Sequence, residues 1–219
     1  MEKYVAIIPA REGSKTIKNK NLVNIKKKRI IDYTIQAAKK TKEISKIVIT
    51  TDIKSLIKND TDREIFIRRP KKLAGDFAST ESALFHSLNY LKKKKIFSKN
   101  LILLQPTSPF RTHLDISKSI RMFERNKLDT LFSGFEEKFL MWKLKKNKYL
   151  PLNYNLKNRK RKQDSEAIII ENGAIFIFDC KKFLKVRSRL FGKIGCYIMS
   201  KRNSLEIDEL YDLNIARKI

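Results

Sequence analysis

The chain has 219 residues, 42% of them hydrophobic, and carries 50 Lys and Arg against 23 Asp and Glu, a formal charge of +27. That length suits one α/β domain over residues 1–219, able to bury roughly 70% of its unfolded surface. No apolar run approaches the roughly 18 residues of a membrane span, the start carries no signal-peptide pattern, and Cys180 and Cys196 make neither a disulfide framework nor a zinc spacing. The expectation is a reduced, cytoplasmic protein with no membrane partner. Its cations are scattered in Lys-rich clusters such as Lys26 to Arg29, Lys92 to Lys95 and Lys157 to Lys162, with no basic-aromatic nucleic-acid module. Nucleic acid is therefore disfavoured as a partner, while a positive field would draw anionic substrates at low salt.

In chain order the pattern alternates. Val5 to Pro9 reads as a strand, Ile30 to Lys40 as a helix with Ile31, Ile35 and Ala38 on one face, and Lys46 to Thr50 as a strand. A short helix is expected over Ile53 to Lys58, a short strand over Ile65 to Ile67, and a helix over Thr80 to Leu91. Leu101 to Leu104, Leu114 to Arg125 and Thr130 to Ser133 give strand, helix, strand. From about 136 to 168 the pattern breaks: Met141 to Leu144 and Tyr149 to Leu152 could pair as strands, and Asn153 to Ser165 is polar and basic. Strands resume at Ala167 to Ile170, Ala174 to Phe178 and Cys196 to Met199, before a final helix over Glu209 to Lys218. The series predicts a mostly parallel, Rossmann-like sheet with helices on both faces. In such sheets sites lie beyond the carboxyl ends of the strands, here the loops starting at Pro9, Thr51, Gln105 and Gly134.

The first of these loops is rich in chemistry. Pro9-Ala10-Arg11-Glu12-Gly13-Ser14-Lys15, with Lys20-Asn21 following, pairs one glycine with several cations after an apolar strand. Backbone N–H groups near a glycine can approach phosphates and the cations offset their charge. It is neither a Walker loop nor G-x-G-x-x-G. Further on stand Leu104-Gln105-Pro106-Thr107-Ser108-Pro109-Phe110-Arg111-Thr112, then Asn172-Gly173-Ala174-Ile175-Phe176-Ile177, then Ser204-Leu205-Glu206-Ile207-Asp208. Glu206 and Asp208 are two apart, so an extended segment turns both to one side, and paired hard oxygens suit Mg²⁺. No Ser-His-Asp arrangement is plausible; His86 and His113 are not expected to be catalytic.

Taken together, these motifs resemble the acylneuraminate cytidylyltransferases, which make CMP-sialic acid and related CMP-nonulosonic acids. The resemblance runs from residue 4 to 212 in the family's order, with the Leu-Gln-Pro-Thr-Ser-Pro segment the most specific part. It implies a nucleotide-diphospho-sugar transferase type of α/β fold, with residues 136–168 as an inserted excursion carrying homodimer contacts and reaching the neighbouring subunit's site. The implied reaction is attack of a sugar hydroxyl on the α-phosphate of CTP, with Mg²⁺ as cofactor and an acidic sugar as acceptor. Ala10, Arg11, Gly13, Ser14, Lys15, Lys20, Asn21 and Arg69 match nucleotide-binding positions, and Arg11, Lys20 and Asp208 would be catalytic. Glu206 and Asp208 would hold the metal. Gln105, Lys143, Arg161, Lys162, Asn172, Gly173 and Phe176 would line the acceptor.

The chain departs from the family at several places, including Lys18-Asn19, which lacks the usual small or Pro residues, and Ser165-Glu166 and Ile169, which replace a Leu-Pro and a Tyr. Thr16 stands where a glycine usually follows Ser-Lys, so the loop takes another path or the usual one at some strain. Glu206 replaces an aspartate, and Lys162 takes a place usually held by Arg, offering a monodentate cation to the acceptor's carboxylate, with Arg161 or Lys143 as substitutes. Arg111 could be structural or phosphate-facing, and Ser79 with Thr80 could cap a helix. Two other readings stand beside the nine-carbon one: a synthetase for the eight-carbon 3-deoxy-manno-octulosonate, and a catalytically lapsed protein that binds nucleotide or nucleic acid.

Overall fold

The structure, a computed structural model, describes residues 1–219. Its strands are β1 (Glu2–Ala10), β2 (Asn24–Ile25), β3 (Lys28–Arg29), β4 (Lys46–Thr51), β5 (Glu64–Arg68), β6 (Ser98–Leu103), β7 (Thr130–Glu137), β8 (Trp142–Lys145), β9 (Lys148–Pro151), β10 (Ile168–Asp179) and β11 (Ile194–Ile198). Its helices are α1 (Ile30–Lys40), α2 (Thr80–Lys93), α3 (His113–Arg125), α4 (Cys180–Val186) and α5 (Leu210–Lys218). Seven strands form one sheet in the order β11-β7-β10-β6-β1-β4-β5, in which only β10 runs antiparallel to its neighbours.

The apolar runs read as strands because both faces of the sheet are covered. Along β1, Tyr4, Ala6, Ile8 and Ala10 turn to the face packed by α1 and α3, through Ile31, Ala38, Ile116 and Ile120. Val5 and Ile7 turn to the other face, against Leu84 and Leu91 of α2 and Phe183 of α4. Helices thus lie on both faces, as the alternation predicts. A third cluster joins α5 to the first loop, through Ile17, Ile25, Ile30, Ile207, Leu213 and Ala216. That cluster fixes where the chain's end meets its beginning.

Caps set the helix starts. Ser79 accepts from Ser82 N at α2, and at α3 Thr112 and Asp115 exchange both bonds of a capping box. Three expectations are corrected. The helix expected over Ile53 to Lys58 is a single 3₁₀ turn at Lys54–Leu56, too short to propagate once Ile53 and Leu56 are buried. The two strands expected around Asn172 are one, β10, interrupted between Glu171 and Phe176 where Gly173 takes φ +63°. Helix α4 was not expected, since no element was predicted between Phe178 and Cys196, yet Asp179 caps it through Lys182 N and Phe183 anchors it. Thr16 is not among the residues of positive φ; Asn19 is, at 54°, a conformation Asn tolerates better than a β-branched residue.

Between β7 and β10 the chain leaves the sheet. Strands β8 and β9 pair as a hairpin, as the sequence suggested, across Lys146 and Asn147, both at positive φ as a two-residue primed turn requires. Trp142, Leu144, Tyr149, Leu150, Leu152 and Leu156 of this excursion are all exposed.

Candidate active site

The loops at the carboxyl ends of β1, β5 and β6, with the segment that precedes α5, enclose an open cleft of about 310 Å³. Arg11, Gly13, Ser14, Lys20 and Asn21 line one side, Arg69, Asp76, Ala78, Ser79, Thr80 and Ala83 another, and Gln105 to Thr107 with Glu206 and Asp208 close the third. The cleft is polar almost throughout.

Its geometry is fixed by bonds that reach across the sequence. Asn21 donates from Nδ2 to the Arg11 carbonyl at 2.8 Å, closing the first loop on itself. Glu12 N donates to Asp52 Oδ1 at 2.9 Å, tying the loop to the end of β4. Lys20 Nζ donates to the Ile207 carbonyl at 2.9 Å and to Asp208 Oδ1 at 2.8 Å, and the Thr16 hydroxyl donates to the Asp208 carbonyl. Thr16 thus holds the first loop to the Glu206–Asp208 segment, and the departure from glycine introduces no left-handed residue at that position. Ile207 N in turn donates to the Thr107 carbonyl at 2.8 Å.

The expected alternation at 206–208 holds. Ile207 is fully buried in the third cluster, while Glu206 and Asp208 face the cleft. Glu206 Oε1 accepts from Thr107 Oγ1 at 3.2 Å. Burial first, then the nearby Asp208 charge, push the Glu206 carboxyl up to about 7, against an ordinary value of 4.5. A carboxyl whose ionisation is opposed by burial and by a neighbouring carboxylate makes, with that neighbour, a fitting donor set for a divalent cation, which would offset both causes. No group of three potential metal ligands exists in the chain, so substrate oxygens and water would have to complete such a shell.

Arg11 donates to the Gly75 carbonyl at 3.1 Å and pairs with Asp76 at 3.4 Å, and Lys15 approaches the same Asp76 at 3.8 Å. Arg69 is buried and donates to the Thr50 carbonyl at 2.6 Å, while its Nε has no partner. Burial, with Arg11 nearby, lowers its pKa. An anion in the cleft would meet Arg11, Lys20 and Arg69 together. Asp76 lies in the Arg69 to Asp76 segment that resembles the family stretch alongside the cytidine, and Thr107 in the Gln-Pro-Thr-Ser-Pro turn, whereas Asp52 is a site-building residue that motif reading left without a role.

The remaining sequence-predicted residues divide. Gln105 lines the cleft, and a Cβ at Gly173 would fall 2.3 Å from its Oε1 and 3.1 Å from Glu206 Oε1, so only glycine fits behind them. Ala10 is fully buried and Lys15 is exposed outside the lining. Asn172 does not face the cleft. It is buried, accepting from Ser133 Oγ at 2.6 Å and donating to Ser204 Oγ at 2.9 Å, and it secures the bulge in β10. Phe176 is likewise a core residue, 1% exposed and opposite Leu103. Arg111 is structural: fully buried, it donates to the Ala174 carbonyl and to Thr34, both at 2.6 Å. Lys143, Arg161 and Lys162 are not brought to the cleft of their own chain. Arg161 pairs with Asp164, Lys162 lies over Phe139 and near Glu137, and Lys143 is exposed on β8.

The comparisons agree with this geometry. A family model described as cytidylyltransferase matches residues 5–217. The chain is 32% identical to the N-acylneuraminate cytidylyltransferase of Escherichia coli O18:K1:H7 over 98% of its length, and spans 51% of that relative. It is 24% identical to the pseudaminic acid cytidylyltransferase of Campylobacter jejuni, over 98% of this chain and 95% of that one. In fold it is similar to a CMP:2-keto-3-deoxy-manno-octonic acid synthetase complexed with CTP, with a TM-score of 0.68 at 15% identity, covering 99% of this chain and 97% of that chain. A cleft built by the first loop, the Gln105 turn and the Glu206–Asp208 segment, inside a match that runs almost end to end, places the chain in the cytidylyltransferase family.

Proposed function

We propose that this chain couples CTP to a nonulosonic acid, such as sialic, legionaminic or pseudaminic acid, releasing pyrophosphate and the CMP-sugar. The observation that carries the reading is the convergence of Arg11, Lys20, Arg69, Glu206 and Asp208 on one cleft whose remaining wall is Gln105. The names of the relatives over nearly the whole chain support the acceptor class.

In this reading Arg11, Lys20 and Arg69 bind the triphosphate and hold the α-phosphate in line with the acceptor hydroxyl. The hydroxyl oxygen forms its bond to the α-phosphorus as the bond to pyrophosphate breaks, and the hydroxyl proton is released. Such transfers depend on positioning and charge neutralisation rather than on a covalent nucleophile. Glu206 and Asp208 would hold Mg²⁺, which supplies neutralisation of the phosphate charge. Lys20, paired with Asp208 beforehand, is already placed at that junction. These retained contacts speak against a lapsed protein.

The excursion is proposed as a homodimer contact, because its hairpin leaves Leu144 and Leu150 exposed beside a half-exposed Trp142 that meets Tyr154 edge-on. Through that contact Lys143, Arg161 or Lys162 would reach the neighbour's acceptor. Free Cys180 and Cys196 suit a reducing compartment, the cytoplasm, and no helix is long and apolar enough to cross a membrane. The test is pyrophosphate release across sialic, legionaminic, pseudaminic and octulosonic acids. Turnover with a nine-carbon acid supports the reading; turnover with the octulosonic acid alone contradicts it.

A further inference from the structure

A second cavity, of about 560 Å³, lies beyond the carboxyl ends of β4 and β5, and no step above uses it. Its cations are Lys54, just after β4, and Arg68, Arg69 and Lys71, at the end of β5. Against them stand two carboxylates, Glu12 and Asp52, while Leu22 and Ile53 supply apolar surface. Arg69 alone lines both this cavity and the active-site cleft, so its side chain stands in the wall between them.

These cations are unmatched. Lys54, Arg68 and Lys71 form no ion pair within the chain, and none of the three lines the cleft, so a nucleotide held there leaves them as they are. Arg69, only 6% exposed, donates to the Thr50 carbonyl and leaves its buried Nε without an acceptor. Asp52 does not pair with it; instead it accepts from Glu12 N at 2.9 Å. Burial lowers the Arg69 pKa, Asp52 opposes that fall and Arg11 adds to it. Four cations against two carboxylates leave a surplus of two positive charges, which a phosphoryl dianion matches. Guanidinium forks also suit the geometry of its oxygens.

We propose that this cavity is a second anion site, taking a phosphoryl group from inorganic phosphate or from the tail of a nucleotide, and that it is linked negatively to the cleft through Arg69. The site holds whichever sugar the cleft accepts. The linkage follows from the shared guanidinium: two anions flanking one cation repel each other, and each weakens the other by the same factor. The Glu12–Asp52 bond gives a second connection, because it ties the first loop to the cavity's own wall.

The test titrates inorganic phosphate, and separately AMP, into the whole chain at fixed ionic strength and follows the heat of binding. Wild type is compared with Arg68→Gln/Lys71→Gln, with Lys20→Ala, and with Lys157→Gln/Lys160→Gln on the excursion. The first double variant should weaken binding by about tenfold, and the other two should stay within about twofold of wild type. The tighter probe identifies the source, phosphate for a free anion and AMP for a nucleotide tail. No binding of either probe, loss confined to Lys20→Ala, or equal loss in the excursion variant overturns the site. A second titration, of CTP at rising phosphate, should show the Kd for CTP climbing about threefold to a plateau that Arg68→Gln/Lys71→Gln removes. A rise without limit, as in direct competition, or no rise at all overturns the linkage. CTP that binds no variant overturns both the linkage and the function proposed above, while the phosphate titration still judges the site.

Discussion

The first loop and the excursion are both basic, yet they are built in opposite ways. Residues 10–21 are locked both within the loop, where Asn21 bonds Arg11, and from outside, where Asp52 bonds Glu12 and the 207–208 backbone bonds Lys20 and Thr16. The excursion's cations pair with near neighbours or not at all, on a hairpin whose apolar side chains face outward. Like charge therefore does different work in the two places. In the first it is preorganised by bonds across the chain; in the second it stays on an exposed hairpin.

Substitutions can break that contrast. Asp208→Asn removes both the Lys20 pair and half of the carboxylate set, and is expected to lower kcat by roughly a hundredfold to a thousandfold without loss of fold. Unchanged kcat would remove Asp208 from the site. The next effect is on stability. Because Glu206 in the fold holds its proton up to about pH 7, the folded chain binds that proton more tightly than the unfolded chain does. The associated stabilisation is complete below the ordinary carboxyl pKa and is lost as pH rises through 7. Without divalent metal, denaturation between pH 5 and 8 should show a decline on the order of 3 kcal/mol that Glu206→Gln flattens. A Gln variant with the same slope would assign the decline elsewhere.

Lys20→Ala comes third, with kcat/KM for CTP expected to fall about thirtyfold, since it removes one phosphate-side cation of several. The smallest effect sharpens the comparison from the other side. Lys143→Ala and Lys162→Ala should leave KM for CTP within about twofold and raise the acceptor KM only at protein concentrations where a dimer forms. A Leu144→Asp change, on the exposed hairpin, should shift sedimentation toward monomer and reproduce the same loss. Sedimentation as a monomer before any change would refute the dimer contact.

Much of the fold was legible because apolar runs such as Val5 to Ile8 and Leu101 to Leu104 are buried on both faces, and α1 begins and ends where its period does. Helix α4 was hidden, since one buried Phe among lysines gives no period to read. At the site, Glu206 and Asp208 were readable from alternation about Ile207. Asn172 and Phe176 were not: a motif gives order along a strand, while the bulge at Gly173 decides which side chains turn inward. The excursion's cations resisted for another reason. None of Lys143, Arg161 and Lys162 is brought to the cleft of its own chain, so no contact within the chain assigns them a role.

The most direct test of the central claim is stopped-time release of pyrophosphate from CTP with Mg²⁺, with and without a nine-carbon acid. The account predicts negligible release from CTP alone, and one equivalent per acid consumed, abolished in Asp208→Asn. Equal release without any acid, or CTP binding with no release under any acid, would contradict it.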